Sequence, residues 1–519
     1  MMLTERIRKA VESWQDGPGR TRGERAARIV LLSTLALFLL GLLLRDVSSA
    51  RMSSQLFAYP FQFDESEGMI AAETMLLDRG NDIYLKPTPT LFVAAPYPPL
   101  YYLLTWPVQH LVGQQPSFKI GRALSIFATI VSGVAIFGLA ATLSGSLFAG
   151  ALAAAMWWAL GLVAFWGSLV KPDLLALTFG LLGLLWLLAR PPAQVWAALP
   201  FFIAAFYTKQ TAIAAGVAAA AWLLIVRPKT GVWFSALLFA CAALPAVALN
   251  ILTDGGYFYH MFTIHDLPWF ADRFRDFALG FIGTYGVFLL PGMAAIVAAS
   301  TWWVARRVKG ASGEPETSDG ALLLLIYFGL SLVAATGAGT FGGNHNHFLE
   351  WAAASCVGLG VGAGLALRLR AWQGKLACAL LALLMLTQVP GLFNTPRWLG
   401  LQLRVPPDSY TQGMNNVFQY VTNNSGEAYS DNVGLLLLAH KKLWSTDPFT
   451  QKHATYYGRW DESKLVEAIR QKRFSQLIFR IEVMAPDAGA GDVSPGILQA
   501  VRDNYTLDQR NVENIYVPK

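Results

Sequence analysis

Charged residues are scarce in this sequence. Asp, Glu, Lys and Arg make up 14% of the 519 residues, whereas soluble globular domains carry about 25%. The shortage is uneven, because the last 125 residues hold 27 of these charged residues and the first 394 hold the other 46. This composition excludes an ordinary soluble enzyme and predicts a membrane-embedded body followed by a soluble tail.

Cysteine is rare as well. Cys241, Cys356 and Cys378 lie in apolar segments and the tail has none, so we expect neither a disulfide framework nor a thiolate zinc site. The sequence also lacks a Walker phosphate loop, a strand-linked Gly-x-Gly-x-x-Gly and a His-Glu-x-x-His motif. The absence of these motifs argues against cytoplasmic ATP as the energy source. The net charge of +7 comes largely from short basic loops between apolar segments, which indicates membrane orientation and excludes nucleic acid as a partner.

Long apolar runs dominate residues 29–392. Residues 1–28 form a basic, predicted cytoplasmic N-terminus, and residues 29–44 follow without a charge. Residues 48–50 resemble a signal-peptide cleavage site, but the long basic region and the many later runs favour an uncleaved anchor. With this anchor the sequence predicts eleven spans. The other ten lie at about 119–142, 147–168, 172–189, 194–209, 211–226, 231–252, 277–305, 320–340, 345–367 and 374–391.

The basic residues between the spans support this count, because alternate connections should be rich in Lys and Arg on the inner side. Only the inner connection at 143–146 has no charge. The basic residues are Arg190, Arg227, Lys229, Arg306, Arg307, Lys309, Arg368, Arg370 and Lys375. The apolar stretch 97–113 is short for a span, and counting it would turn these basic loops outward. We therefore interpret it, with a helix at 65–77, as juxtamembrane helices in a large first outer loop at 46–118.

The tail changes character after the last span. It alternates strand-like segments at 427–430, 442–445 and 476–481 with helical segments at 432–440 and 463–472, which predicts a small α/β domain at 395–519. An odd number of spans from an inner N-terminus places this domain outside. The expected fold class is therefore an α-helical polytopic membrane protein with about eleven transmembrane helices and a small C-terminal α/β soluble domain.

Unusual polar residues collect on the predicted outer face. Ionisable groups at span ends are costly, so such a collection is a hypothesis for a functional site. Snorkelling of single lysines is the alternative explanation, and the shared location of five clusters speaks against it. The clusters are Asp64-Glu65, Lys171-Pro172-Asp173, Lys209-Gln210-Thr211, His265-Asp266 and His345-Asn346-His347.

Asp64 and Glu65 are the candidate catalytic carboxylates. Asp64 precedes the amphipathic helix at 65–77, and Glu67 follows it at capping-box spacing, so a helix cap is the structural explanation. A carboxylate held at the membrane surface also serves as a general base for an acceptor hydroxyl. The two roles are compatible, and two adjacent carboxylates alone do not choose between them.

The cations and histidines suggest ligand binding. Lys171 and Lys209 suit a phosphate at headgroup depth, with an anionic lipid headgroup as the alternative partner. His345 and His347 with Glu350 make an incomplete metal-ligand set, so hydrogen bonding to a substrate is favoured over a divalent metal. We expect no cofactor.

Several motifs in their order resemble the GT-C glycosyltransferases, over residues 30–390. They are similar to the branch, glycosyltransferase family 39-like, that contains protein O-mannosyltransferases and the lipid A aminoarabinose and galacturonosyl transferases. The motifs are Phe63-Asp64-Glu65, Tyr97-Pro98-Pro99-Leu100-Tyr101, Gly121-Arg122-Ala123-Leu124-Ser125, Lys171-Pro172-Asp173, Thr208-Lys209-Gln210-Thr211 and Asn346-His347-Phe348-Leu349-Glu350. The Lys171 segment departs from relatives that begin with Arg or Thr there.

The resemblance implies an inverting transfer from a polyprenyl-phosphate sugar on the outer face, with Asp64 as the catalytic carboxylate and Glu65 beside it. It also implies that Lys171, Lys209 and Arg122 lie near the donor phosphate. Displacement at an anomeric carbon with a phosphate leaving group needs a base and positive charge, but no acid. The candidate substrate-binding residues are Asp173, Tyr97, His265, His345, His347 and Glu350.

Two other classes of function stay open at this stage. A lipid or sugar transporter, or flippase, also has many spans, but its charges are expected near the midplane rather than at one edge. A sensor or scaffold that reads its ligand with the outer domain would leave Asp64 dispensable. The expected partners are membrane lipids, the lipid-phosphate sugar and an acceptor that is lipid A, a polysaccharide or a protein. We expect a bacterial inner-membrane location with a periplasmic site.

Overall fold

The computed structural model describes residues 22–308 apart from 79, 81 and 113–115, and then 315–393, 405–485 and 493–519. The basic residues before Arg22 and the start of the predicted tail at 395–404 lie outside these ranges. The membrane body consists of helices joined by short turns. Its helices are α1 (Arg22–Ala58), α2 (Glu65–Asp78), α3 (Leu100–Val112), α4 (Lys119–Ser144), α5 (Leu147–Ala159), α6 (Gly161–Trp166), α7 (Asp173–Ala189), α8 (Leu199–Thr208), α9 (Ala214–Val226), α10 (Pro228–Leu252), α11 (Ala271–Val308), α12 (Pro315–Ala335), α13 (Leu349–Arg368) and α14 (Trp372–Gln388).

Every one of the eleven predicted spans is helical. Within the described ranges, seven helices are long and apolar enough to cross a membrane, namely α1, α4 and α10 to α14. The predicted span at 147–168 is divided at Leu160, whose extended backbone separates α5 from α6. The predicted span at 194–209 begins with the 3-10 turn Pro192–Ala198 before α8. Helix α1 continues through 48–50, the segment that resembles a cleavage site.

Small residues let the central helices approach closely, as is usual in membrane bundles. A Cβ atom at Gly292 of α11 would lie 2.2 Å from the Ser355 carbonyl oxygen of α13. A Cβ atom at Gly360 of α13 would lie 2.6 Å from the Ala149 carbonyl oxygen of α5. Helix α13 is therefore surrounded by protein, which puts its first residues at the centre of one end of the bundle.

The two ends of the bundle differ in charge. Helices α4, α7 and α13 all begin at the end that carries the polar clusters. At the opposite end, α7 is followed by Arg190 and α13 ends at Arg368. The Arg368 guanidinium donates a hydrogen bond to the Ser144 carbonyl oxygen. The uncharged connection at 143–146 therefore lies beside a basic loop, at the end where the sequence places it.

The first outer loop contains two helices, α2 and α3, as predicted. Helix α2 ends at Asp78 and α3 begins at Leu100, directly after two prolines. Between α10 and α11 a second connection contains a short helix, Gly256–Phe258, and a π-helical turn, Tyr259–Thr263. His260 in this turn hydrogen-bonds the Ala94 and Leu85 carbonyl oxygens, so the second connection packs on the first outer loop.

The C-terminal residues form an α/β domain with a four-stranded mixed sheet in the order β1-β2-β4-β3. Strands β1 and β2 are parallel, and the pairs β2–β4 and β3–β4 are antiparallel. The strands are β1 (Ala428–Ser430), β2 (Gln476–Phe479), β3 (Tyr505–Arg510) and β4 (Asn514–Pro518), and the helices are α15 (Asp408–Asn423), α16 (Val433–Leu438), α17 (Pro448–Tyr456), α18 (Ser463–Arg470) and α19 (Pro495–Asn504).

One predicted strand is wrong. Residues 442–445 do not join the sheet. Ser445 forms an isolated bridge with Phe92 of the first outer loop, where the Phe92 N–H donates to the Trp444 carbonyl at 2.9 Å and the Thr446 N–H donates to the Phe92 carbonyl at 2.8 Å. The extended segment therefore connects the domain to the membrane body.

The C-terminal domain rests on the first outer loop through α16 and α2. A Cβ atom at Gly68 would lie 2.6 Å from the Gly434 nitrogen, so the two helices touch at backbone distance. The Gly434 N–H donates to the Gln62 side-chain oxygen at 2.8 Å. A third link joins Arg459 to Asp266 of the second connection at 2.9 Å. The domain thus covers the loop that carries Asp64.

Candidate active site

Asp64 lies at the N-terminus of α2, where the sequence predicts a helix cap. Its Oδ1 atom accepts a hydrogen bond from the Ser66 N–H at 3.1 Å and another from the Ser66 hydroxyl. The same oxygen lies 3.1 Å from the Lys171 Nζ atom. Asp64 is therefore both a cap and a member of an ion pair. Glu67 accepts from the Phe63 N–H at 2.7 Å, one residue before the Asp64 N–H that a standard capping box would use.

Lys171 lies in the turn between α6 and α7. Its ammonium group stacks on the Trp166 ring at 4.9 Å from the ring centroid, an interaction that favours the charged form. Burial favours the neutral forms of Asp64 and Lys171, but their mutual attraction prevails, so the pKa of Asp64 lies below and that of Lys171 above its ordinary value. Both groups are charged at neutral pH.

A second ion pair lies next to the first. Asp173, the first residue of α7, pairs with the Lys209 ammonium at the end of α8. The Asn346 amide also donates to the Asp173 Oδ1 atom at 2.7 Å. The charge of Lys171 acts on Asp173 as well. Four of the five sequence clusters therefore contribute residues at one end of the helix bundle, namely Asp64, Lys171 with Asp173, Lys209, and Asn346.

Two of the candidate substrate-binding residues border these pairs. The Tyr97 phenol lies within reach of the charges of Lys171, Asp173 and Asp64, and burial raises its pKa. His347 lies close enough to Lys209, Asp173 and Lys171 for their charges to act on its ring. Its Nδ1 atom would be 2.5 Å from a Cβ atom at Gly337, so this glycine makes room for the ring.

Several buried side-chain oxygen atoms near Lys209 or Glu350 have no hydrogen-bond partner. They are Asp173 Oδ2, Gln210 Oε1, Glu350 Oε2 and Tyr327 Oη. Glu350 lies near Lys209 and near Tyr327. The Gln210 amide nitrogen donates to the Pro96 carbonyl at 2.9 Å, which places it beside Tyr97. Buried polar atoms normally have partners, so this set of acceptors suits a ligand that presents several donor groups.

Two predicted site residues lie elsewhere. The His345 ring packs edge-on against Phe277 of α11, with centroids 4.4 Å apart, and its Nδ1 atom pairs with the Asn344 side-chain oxygen. His265 hydrogen-bonds the His260 carbonyl at 2.8 Å in the second connection, and burial lowers its pKa to about 4. These contacts place the two rings against Phe277 and the His260 backbone.

The structure corrects the expectation for Arg122. A guanidinium has five N–H donors, and those of Arg122 bond both Glu67 carboxylate oxygens and the carbonyls of Leu56, Tyr59 and Phe61. Both charged side chains are completely buried. All five donors of Arg122 are therefore used within the protein, and none is left for a phosphate.

Glu65 contacts the C-terminal domain. Its carboxylate pairs with Arg480, which follows β2. The Arg480 backbone N–H donates to the Asp431 carboxylate at 3.2 Å. Glu67, Trp166 and Arg480 were not predicted as site residues. Only Glu67 had a local signal, its capping spacing, because the contacts of the other two depend on residues far away in the chain.

A metal centre finds no ligand set here. Among the residues that the structure describes, no group of three or more His, Cys, Asp or Glu side chains is arranged to hold a metal ion. The ion pairs of the cluster join two carboxylates to two ammonium groups, and the Glu350 carboxyl lies near one of the two, Lys209. Such a site can take up a proton at Asp64 and can stabilise an anion at Lys171 and Lys209.

The fold and this cluster define a polytopic membrane protein with a polar site at one end of its helices, beneath a small α/β domain. No protein-family model matches the sequence, and a search of curated proteins finds no match. Solved structures do match over nearly the whole chain.

The structure is similar to ArnT from Cupriavidus metallidurans bound to undecaprenyl phosphate, with a TM-score of 0.53, 13% identity and coverage of 91% of this chain and 97% of that chain. It is also similar to the Archaeoglobus fulgidus oligosaccharyltransferase tethered to an acceptor peptide, with a TM-score of 0.50, 12% identity and coverage of 90% and 72%. Both neighbours are GT-C glycosyltransferases, so the chain has the GT-C fold.

Proposed function

We propose that this protein is an inverting glycosyltransferase that moves a sugar from a polyprenyl-phosphate donor to an acceptor in the cell envelope. The observation that carries the proposal is the contact between Asp64 and Lys171 beside the Asp173–Lys209 pair. One carboxylate and two cations are the groups that displacement of a phosphate from an anomeric carbon requires. The GT-C fold, and the undecaprenyl phosphate in the ArnT structure, support a lipid-linked donor.

In the proposed reaction the acceptor hydroxyl attacks the anomeric carbon and the bond from that carbon to the phosphate oxygen breaks. Asp64 takes the hydroxyl proton, and Lys171 and Lys209 stabilise the departing phosphate. A phosphate that draws on the charge of Lys171 weakens its hold on Asp64, which raises the pKa of this carboxylate and makes it a better base. Donor binding would thus prepare the base for the acceptor.

The oxygen atoms without donors around Lys209 support a sugar site. Asp173, Gln210 and Glu350 present acceptors, and sugar hydroxyl groups are donors that would satisfy them. His347 and Tyr97 border the same space and complete the proposed substrate contacts. His265 and His345 lie apart from this space, so we propose no contact between them and the sugar.

The location follows from the same proposal. The site lies at the end of the bundle opposite the basic loops, so we propose that it faces the periplasm of a bacterial inner membrane. Lipid A, a polysaccharide or a protein is the proposed class of acceptor, and membrane lipids surround the body. The transporter alternative has no structural support, because the paired charges of this cluster lie at helix ends.

The assay is set up first, because mass spectrometry of envelope glycolipids and glycans with and without the gene identifies the sugar that is lost. The test of the mechanism is then the exchange of Asp64 for Asn. Asn caps a helix about as well as Asp, so Asp64→Asn should accumulate normally in the membrane yet lower the transfer rate by about 10²-fold to 10⁴-fold, the scale of general-base catalysis.

Glu65→Gln is the matched control, because it changes the adjacent carboxylate, which pairs with Arg480. It should retain most of the activity. Normal transfer by Asp64→Asn would remove the catalytic assignment of this carboxylate. Loss in Glu65→Gln alone would move the base by one residue.

A further inference from the structure

Glu67 links the two backbone segments that carry the Asp64–Lys171 pair. Its Oε2 atom accepts a hydrogen bond from the Phe63 N–H at 2.7 Å, and its Oε1 atom accepts one from the Val170 N–H at 2.9 Å. Phe63 directly precedes Asp64, and Val170 directly precedes Lys171. One carboxylate therefore fixes the backbone next to both members of the pair, although 107 residues separate the two in the sequence.

Arg122 fixes Glu67 in turn. Its Nε and Nη2 atoms each donate to a different Glu67 oxygen at 2.8 Å. This is the parallel two-bond geometry that holds a carboxylate in one orientation. Neither side chain is exposed to solvent, so water does not compete for these bonds.

Helix α4 also contacts Lys171 directly. Ser125, one turn after Arg122, donates its hydroxyl to the Lys171 carbonyl oxygen at 3.1 Å. The backbone at Lys171 is thus held on both sides, through the preceding N–H by Glu67 and through its own carbonyl by Ser125. The Asp64 side chain is held from its own side by Ser66.

We propose that Glu67, Arg122 and Ser125 are positioning residues that set the distance between Asp64 and Lys171. Their role in catalysis rests on the proposed function, whereas their effect on the pair does not. The geometry matters because a reacting group displaced by about 1 Å can lower a rate by roughly 10²-fold. Buried groups with complete hydrogen bonding hold such a distance better than exposed side chains do.

The first test measures the coupling between Asp64 and Lys171 without a substrate. Thermal unfolding of the purified full chain in detergent gives a double-mutant cycle from Asp64→Asn, Lys171→Met and the double variant. The cycle is repeated in the Ser125→Ala and Glu67→Gln backgrounds. Ser132→Ala is the matched control, because Ser132 is a fully buried residue of the same helix that donates to a carbonyl, that of Thr129.

We expect the coupling to fall by about half or more in Ser125→Ala and Glu67→Gln, and to remain unchanged in Ser132→Ala. Ser125→Ala leaves no buried charge without a partner, so it keeps the test decisive even if Glu67→Gln folds poorly. An undiminished coupling in Ser125→Ala would overturn the proposal, as would an equal fall in Ser132→Ala.

The second test measures catalysis. Membranes from cells that lack the gene supply the native donor and acceptor, and the purified variants are added. Glu67→Gln should lower the initial transfer rate by roughly 10²-fold and Ser125→Ala by a smaller factor. The acid limb of the pH profile should also move to higher pH, because a more distant Lys171 lets the pKa of Asp64 rise, and a base is lost as pH falls through its pKa.

The titratable groups that face Asp64 are Lys171 and Tyr97, with Glu65 adjacent in the chain. A lowered rate with an unmoved acid limb would indicate a purely structural role and would overturn the positioning proposal. A reduced coupling together with a wild-type protein that transfers no sugar would support the positioning and contradict the proposed function instead.

Discussion

At the scale of single residues, the site is built from charges that neutralise one another. Lys171 pairs with Asp64 and Lys209 pairs with Asp173, and a charge buried without a partner would cost several kcal/mol. A phosphate that enters must therefore share a lysine with a carboxylate. This arrangement explains why each lysine of the site is paired with a carboxylate although the proposed ligand is an anion.

Lys209→Ala should weaken binding of undecaprenyl phosphate about 10-fold to 100-fold, because a charge-assisted hydrogen bond contributes about 1.5 to 3 kcal/mol. Titration of the purified protein with this lipid, followed by intrinsic Trp fluorescence, measures the change. Asp173→Asn should be combined with Lys209→Ala, so that no carboxylate is left unpaired. Lys119→Ala is the control, because Lys119 is exposed at the start of α4. If Lys209→Ala, alone and combined with Asp173→Asn, bound the lipid with wild-type affinity, Lys209 would be excluded from the phosphate site.

Glu73 gives a prediction about pH and stability. It is fully buried in α2 and accepts hydrogen bonds from the Ala95 N–H, the Tyr102 hydroxyl and the Thr446 hydroxyl. Burial raises its pKa to about 7. A carboxyl whose pKa is raised by folding stabilises the folded state fully below its unfolded pKa, and this contribution is lost as pH rises through the folded pKa.

Glu73→Gln should therefore gain thermal stability relative to the wild type at pH 8 but not at pH 4, since Gln mimics the protonated carboxyl. Melting temperatures of the two proteins at both pH values are the measurement. A stability difference that does not change with pH would show that folding does not raise the pKa of Glu73.

The sequence could predict which residues gather, but not every contact they make. Asp64, Lys171, Asp173 and Lys209 were placed together because span ends on one side of a membrane meet in space. Arg122 was misjudged because its partners, Glu67 and three carbonyl groups, come from the fold of the first outer loop. No periodicity or spacing reports such a contact.

At the scale of elements, the length of an apolar run predicted a helix reliably. The eleven apolar runs are all helical, seven of them as single long helices and the run at 147–168 as two helices divided at Leu160. A helix forms in such a run because it satisfies its own backbone hydrogen bonds without neighbours. Strands depend on partners that are distant in sequence, and the prediction at 442–445 failed for this reason. This segment found its partner, Phe92, in the first outer loop instead of the sheet.

The contact of α2 with α16 gives a prediction at this scale. Gly68→Ala should separate the two helices, because the new Cβ atom would lie 2.6 Å from the Gly434 nitrogen and 2.1 Å from the Gln62 side-chain oxygen. We expect a lower melting temperature and faster proteolysis of the C-terminal domain. Gly283→Ala is the control, since a Cβ atom at this helical glycine meets no atom within 4 Å. Equal protease resistance of both variants would show that the domain does not depend on this contact.

At the scale of the whole molecule, the polar site and the basic loops lie at opposite ends of the helix bundle. The polar site and the C-terminal domain lie at the end where α4, α7 and α13 begin, and the basic loops lie at the other end. Lys and Arg remain on the cytoplasmic side during insertion, so the charge pattern that orients the chain also decides which compartment the site faces. The proposed outward orientation would give the site access to lipid-linked sugars but not to cytoplasmic nucleotides.

Thiol labelling tests this orientation. Cysteines are introduced singly at Ser463 and at Lys229, two exposed positions at opposite ends, in a chain whose exposed Cys241 and partly exposed Cys378 are replaced. In intact spheroplasts a membrane-impermeant thiol reagent should modify Ser463→Cys but not Lys229→Cys, and permeabilisation should make Lys229→Cys reactive. Labelling of Lys229→Cys alone would invert the orientation and place the site in the cytoplasm. Equal labelling of both without permeabilisation would contradict the odd number of spans, because the two ends of the bundle would then share one compartment.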